Sequence, residues 1–142
     1  MAVLSPRKMV HFMMVCVMMV IMGRVNADDV YVIANQQPIK AISTDDIEEI
    51  FAFRAKKWGN GMPIKVFLLP KTHPATRDFV VRYMHMTPTR YFDTIAQKKG
   101  ITYDVASTEY EVVMKILTTT GGIGYATGGT MMNFNDSLDV VR

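Results

Sequence analysis

Ile64-Lys65-Val66-Phe67-Leu68-Leu69-Pro70-Lys71-Thr72-His73-Pro74-Ala75-Thr76-Arg77-Asp78-Phe79 is the stretch on which the reading of this chain turns. Ile64 to Leu69, apolar but for Lys65, follows the turn dipeptide Asn60-Gly61 and reads as a buried strand. Pro74 suits the first turn of a helix, where its missing N–H costs little, and Thr72 or His73 stands in the capping position. Phe79, Val80 and Tyr83 then supply the inner face of that helix. A buried strand leading through a short loop into a helix is the unit of an α/β domain.

The unit repeats on both sides. Val30 to Ala34 is a second apolar run, ending in Asn35-Gln36-Gln37-Pro38, a strand and turn. Ser43 and Asp46 form a capping box, and Ile47, Ile50 and Phe51 share one helical face that extends to Arg54. Acids at the start (Asp45, Asp46, Glu48, Glu49) and Arg54, Lys56 and Lys57 at the end match the helix dipole. Thr87-Pro88 opens a helix through Tyr91, Phe92 and Ile95, closed by Lys98-Lys99-Gly100. Thr108 and Glu111 make another capping box, leading to Val112, Val113, Ile116 and Leu117. Gly121-Gly122 ends that helix, Ile123 to Ala126 is a strand, Gly128-Gly129 turns, and Leu138 to Val141 is read as a last strand. The expected fold is α/β, a central mixed sheet flanked by helices.

The N-terminus has a different character. Arg7 and Lys8 precede the apolar run Met9 to Met22, and Val25-Asn26-Ala27 offers small residues to a signal peptidase. The run has 14 residues, short of the ~20 that a bilayer span needs. The expectation is a cleaved signal over residues 1–27, a domain over 28–142, and a periplasmic product. Arg7, Lys8 and Arg24 precede Asp28 and no acid does, so the remainder carries 13 basic and 13 acidic residues. Without a net positive charge, nothing in the composition argues for a nucleic-acid partner. Cys16 is the only cysteine, so the processed chain has no disulfide or thiol chemistry, and its stability must come from its core. Seven of the 13 methionines lie in the leader, which argues against a Met-rich metal carrier.

Motifs of catalysis are sparse. Beyond the leader, which holds His11, the two histidines His73 and His85 sit on separate segments without a metal-ligand spacing. There is no nucleophile elbow and no Gly-rich loop ending in Lys-Ser/Thr. Gly121 to Gly124 follows a helix rather than leading into one, so its glycines read as a helix stop and a close strand approach. The acids Asp45 to Glu49 read as a capped, solvated helix start rather than a catalytic pair. We expect neither an enzyme nor a bound cofactor or metal. The segment with functional geometry is Pro70 to Arg77, at the carboxyl end of a strand and the start of a helix. Lys71, Thr72, Thr76 and Arg77 are its candidate ligand-binding residues, for a small anion. Ordinary helix capping is the competing account of the same residues.

From Ile33 to Ala126 the chain resembles the phosphate-binding proteins of ABC transporters. The likeness lies in an ordered set. A strand ending in Asn35 comes first, then Ile42-Ser43-Thr44-Asp45-Asp46-Ile47 with Ile50-Phe51 and Trp58, Gly59 to Ile64, Thr76-Arg77-Asp78-Phe79 and Gly122-Ile123-Gly124-Tyr125. Short single-domain relatives labelled as phosphate transporter substrate-binding proteins are closer in length and share the Leu69-Pro70 and Pro74-x-x-Arg77 pattern. The resemblance implies a single lobe of the periplasmic-binding-protein fold, second type. In full-length members the helix start reads Ser-Gly-Thr, with a phosphate-gripping Arg four residues earlier. Here Pro74 and Ala75 hold the Ser and Gly positions, Pro70 holds the Arg position, and Thr76 matches the Thr. Pro74 has no N–H to donate, and the segment that forms the opposite wall of the cleft has no counterpart. Trp58 and Tyr125 read as packing residues.

Two classes of function stay open on this basis. One is a solute-binding-protein-like module that holds phosphate or another small oxyanion weakly, completed by a second copy. The other is an accessory or signalling protein that docks a membrane sensor or envelope partner without a ligand. The leader reading has a direct test: N-terminal sequencing of the secreted product should begin Asp28-Asp29. A retained Met1 would refute it.

Overall fold

Apolar runs and well-marked helix starts account for most elements of the computed structural model, which describes residues 27–35 and 42–139. Strand β1 is Val30–Ala34, β2 Lys65–Leu68, β3 Tyr103–Val105 and β4 Gly122–Thr127. The helices are α1 (Thr44–Phe51), α2 (Pro74–Phe79), α3 (Pro88–Ala96), α4 (Glu109–Thr118) and α5 (Gly128–Asp139). A π-helical turn, Val80–Met84, continues α2. The signal expected over residues 1–27 lies, apart from Ala27, outside the described residues, as do Gln36 to Pro38 of the expected turn.

The four strands form one mixed sheet in the order β1-β4-β2-β3. Strand β1 runs antiparallel to β4, while β2 is parallel to both β4 and β3. On β4, Gly122 and Gly124 turn toward α4, and Tyr125 turns toward α1 and α2. The crossover from β2 to β3 through α2 and α3 therefore covers one face, and the return through α4 covers the other. Successive crossovers in opposite directions need opposite faces to keep the usual right-handed sense. The fold is α/β, a mixed sheet with helices on both sides.

Local chemistry sets the helix ends. Ser43 Oγ accepts the Asp46 N–H at 3.1 Å, and the Asp46 carboxylate accepts the Ser43 N–H at 3.1 Å, closing the expected box. At the other end of α1, the Tyr91 hydroxyl donates to Phe51 O and the Lys98 ammonium to Ala52 O, each at 2.6 Å. Those carbonyls have no helical partner, so both donors complete the helix. Phe53 then takes a positive φ of 59°, which turns the chain out of the helix. Arg54 therefore does not extend the buried face, as its spacing suggested. It lies beyond α1 and pairs in solvent with Glu49 and Glu48. The second box is displaced by one residue: Thr108 Oγ1 accepts the Glu111 N–H, but the Glu111 carboxylate accepts from Ser107. That N–H, with Lys115 beside it, holds the Glu111 carboxyl below its usual range.

Two expectations are corrected toward the C-terminus. Gly128-Gly129 begins α5 rather than a turn between strands, and Leu138 belongs to that helix rather than to a last strand. The Gly128 and Gly129 N–H groups donate to Asp29 O and Ala27 O, so the chain beside the start of β1 satisfies the helix's first donors. Val140 and Val141 lie outside the described residues. Strand β3 has no apolar run to announce it, being three residues at a sheet edge with Asp104 and Val105 exposed.

The core lies on both faces of the sheet. Phe51, Phe79 and Val80 are wholly buried beside Tyr125 on one side, and Val112 and Ile116 on the other. Close packing explains the glycines of β4: a Cβ on Gly124 would stand 2.9 Å from Phe67 O and from the Ile116 and Val112 side chains. Phe51 has its ring centroid 4.6 Å from that of Phe79. Phe51→Ala should cost ~3–5 kcal/mol, measured by denaturant titration. A loss below about 1 kcal/mol, the range of unpacked surface sites, would contradict this core.

Candidate functional site

The corner between β2 and α2 is built around three groups: the Leu69 N–H, the Thr76 hydroxyl and the His73 imidazole. Strand β2 ends at Leu68, and Pro70 O accepts the His73 N–H at 2.9 Å, folding residues 70–73 into a turn. His73 has extended backbone angles and is the N-cap of α2, with Pro74 at the first helical position. Its Nδ1 accepts the Ala75 N–H at 3.1 Å, which places the ring proton of neutral His73 on Nε2. The His73 carbonyl accepts the Thr76 and Arg77 N–H groups at 3.0 and 3.2 Å.

Pro74 has no N–H, the imidazole holds that of Ala75, and the His73 carbonyl holds the next two. An anion at a helix N-terminus needs such N–H groups directed at it. At α2 they are engaged by the protein itself.

The four candidate ligand residues fall into two environments. Lys71 and Thr72 are exposed on the turn, and Arg77 is exposed on α2. Thr76 points the other way and has no solvent exposure. Its Oγ1 lies 2.8 Å from the Tyr125 hydroxyl, with either group able to donate, and that hydroxyl also accepts the Leu69 N–H at 3.1 Å. The Tyr125 ring stacks on Phe79 with centroids 4.3 Å apart and planes within 5°. Burial pushes the Tyr125 phenol above its ordinary range, although its bonds to Thr76 and Leu69 oppose the shift. The corner thus brings Lys71, Thr72 and Arg77 to the surface and directs Thr76 into the core.

Among the other polar residues that spacing singled out, Asp46 closes a cap and Glu48 and Glu49 hold Arg54, while His85 is exposed and ends the π-helical turn with a φ of 56°. No group of three or more His, Cys, Asp or Glu that could hold a metal occurs among the described residues. Nor is any helix among them long and apolar enough to cross a membrane.

Three residues make buried hydrogen bonds that the sequence did not announce, although two of them, Trp58 and Tyr125, are the packing residues expected. The buried Asn35 amide donates to Ile116 O at 3.0 Å, serving the end of α4, and its backbone pairs with Gly121 and Gly122. Trp58 Nε1 donates to Gly121 O at 3.0 Å. The third is the Tyr125 hydroxyl. A lone Asn closing an apolar strand, and a Tyr inside one, are the available signals, since a buried polar tip requires a partner. No protein-family model matches the chain, and neither a curated protein nor a solved structure is significantly similar to it.

Proposed function

We propose that this chain is a non-enzymatic module of the cell envelope, similar to a solute-binding-protein lobe, that docks a membrane or envelope partner. Oxyanion binding at the β2–α2 corner is weak in this reading. The observation that supports it is the engaged start of α2, where His73 and its carbonyl hold the Ala75, Thr76 and Arg77 N–H groups. A dehydrated phosphate needs many converging donors to offset its lost hydration. Here Lys71, Thr72 and Arg77 are exposed and stand in water, where their attraction for an anion is screened by salt. The ordered motifs shared with phosphate-binding proteins favour the lobe, and the Pro70 and Pro74 replacements favour docking over transport.

Calorimetric titration with phosphate separates the two roles. We expect a Kd of about 1 mM or weaker, equivalent to ~4 kcal/mol, lost as salt rises and reduced by Arg77→Ala. Thr76→Ala should lower stability without a separate effect on phosphate. Micromolar binding abolished by Arg77→Ala in a folded protein would establish the transporter-type function instead.

A further inference from the structure

We propose that the end of the sheet at which β2, β3 and β4 begin docks onto an anionic lipid surface. Three segments meet there. Lys57 bridges to Pro63, the Ile64 N–H donates to Lys56 O, and the Lys65 N–H donates to Gly121 O. The Lys98 ammonium reaches Ala52 O, and the ring of Phe53 lies 5.7 Å from that of Tyr103, the first residue of β3. Tyr103 in turn is paired with Val66. Residues 52–66, 94–103 and 115–122 are therefore neighbours, and none of them is Asp or Glu.

Those segments carry Arg54, Lys56, Lys57, Lys65, Lys98, Lys99 and Lys115. Arg54 is held by Glu48 and Glu49, and Lys115 by Glu111. The other five form no ion pair among the described residues, and Lys56, Lys57, Lys65 and Lys99 are exposed. The whole chain beyond residue 27 is balanced in charge, so the concentration of unpaired cations at one end is a matter of placement rather than of composition.

Charge complementarity identifies the occupant as anionic. The cations are lysines, mobile point charges that lack the fixed fork by which arginine grips one carboxylate or phosphate. Four such exposed groups, Lys56, Lys57, Lys65 and Lys99, spread over two of these segments, suit a laterally mobile array of headgroups, each contributing attraction near the surface. The candidate oxyanion corner is at the opposite end of β2, so the two sites are separable. The inference deepens the docking reading by naming the surface docked, and rests on it.

The test is sedimentation of the protein, as recovered from cells, with phosphatidylcholine vesicles with or without phosphatidylglycerol, at low and high salt. Binding should require phosphatidylglycerol and low salt. Neutralising three exposed lysines together (Lys57→Gln, Lys65→Gln, Lys99→Gln) should lower the partition coefficient about a hundredfold. Reversing them with Glu should give a larger loss, and Lys71→Glu with Arg77→Glu, at the other end, should give none. Circular dichroism establishes that each variant is folded. Equal binding to neutral vesicles, or undiminished binding by both folded lysine variants, would overturn the proposal. So would binding to polyglutamate but not to anionic vesicles, which assigns this end to an acidic protein. Vesicle binding that fails while phosphate binding stays weak removes the lipid surface alone, whereas micromolar phosphate binding removes the docking reading.

Discussion

The Tyr125 hydroxyl accepts the Leu69 N–H and meets the Thr76 hydroxyl, joining the end of β2 and the start of α2 to β4 at one buried point. The ring below it stacks on Phe79 of α2 and lies 6.2 Å from Phe51 of α1. A buried hydroxyl left without partners would cost on the order of 1–3 kcal/mol, so the position of each element constrains the others. It also determines what the corner can do. Thr76 spends its hydroxyl on the core, and α2 starts against the sheet with its first donors engaged by His73. The most ligand-like segment of the sequence therefore serves the fold.

The opposite face of the sheet depends on the absence of side chains. Gly122 and Gly124 let α4 approach the strand closely, with Val112 and Ile116 against the backbone of β4. Gly121 has a φ of +84°, and a Cβ there would lie 2.4 Å from Pro63 O. Its own carbonyl receives both Trp58 Nε1 and the Lys65 N–H. This contact draws the loop after α1 to the start of β2 and β4. The lysines of three segments share one end of the sheet for that reason.

Much of the architecture was legible because strong local signals agree with burial. Val30 to Ala34 and Val66 to Leu69 are apolar without interruption, and the Ser43, Thr87 and Thr108 caps mark their helices. Weak local signals were resolved by tertiary context. Tyr103 to Val105 became a strand by pairing with β2, which no three-residue pattern discloses. Gly128-Gly129 looked like a turn, yet its donors are met by Asp29 and Ala27, far away in sequence. At the candidate site, the sequence identified the segment but not the side-chain directions. Thr76 and Arg77 are adjacent on a short helix, and only packing against Tyr125 separates an inward hydroxyl from an outward guanidinium. The Gly122-Ile123-Gly124-Tyr125 motif, read from the sequence as part of a resemblance to phosphate-binding proteins, is accounted for here by close packing of its glycines and by the buried bonds of the Tyr125 hydroxyl.

A double-mutant cycle between Tyr125 and Thr76 tests the central claim most directly, with Tyr125→Phe, Thr76→Val and the pair followed by denaturant titration. Each single change should destabilise the protein by ~1–3 kcal/mol. The pair should cost less than their sum, with a coupling of ~0.5–3 kcal/mol. Single effects that add, with Thr76→Val sparing stability but weakening phosphate binding, would show that the hydroxyl serves a ligand and contradict the account.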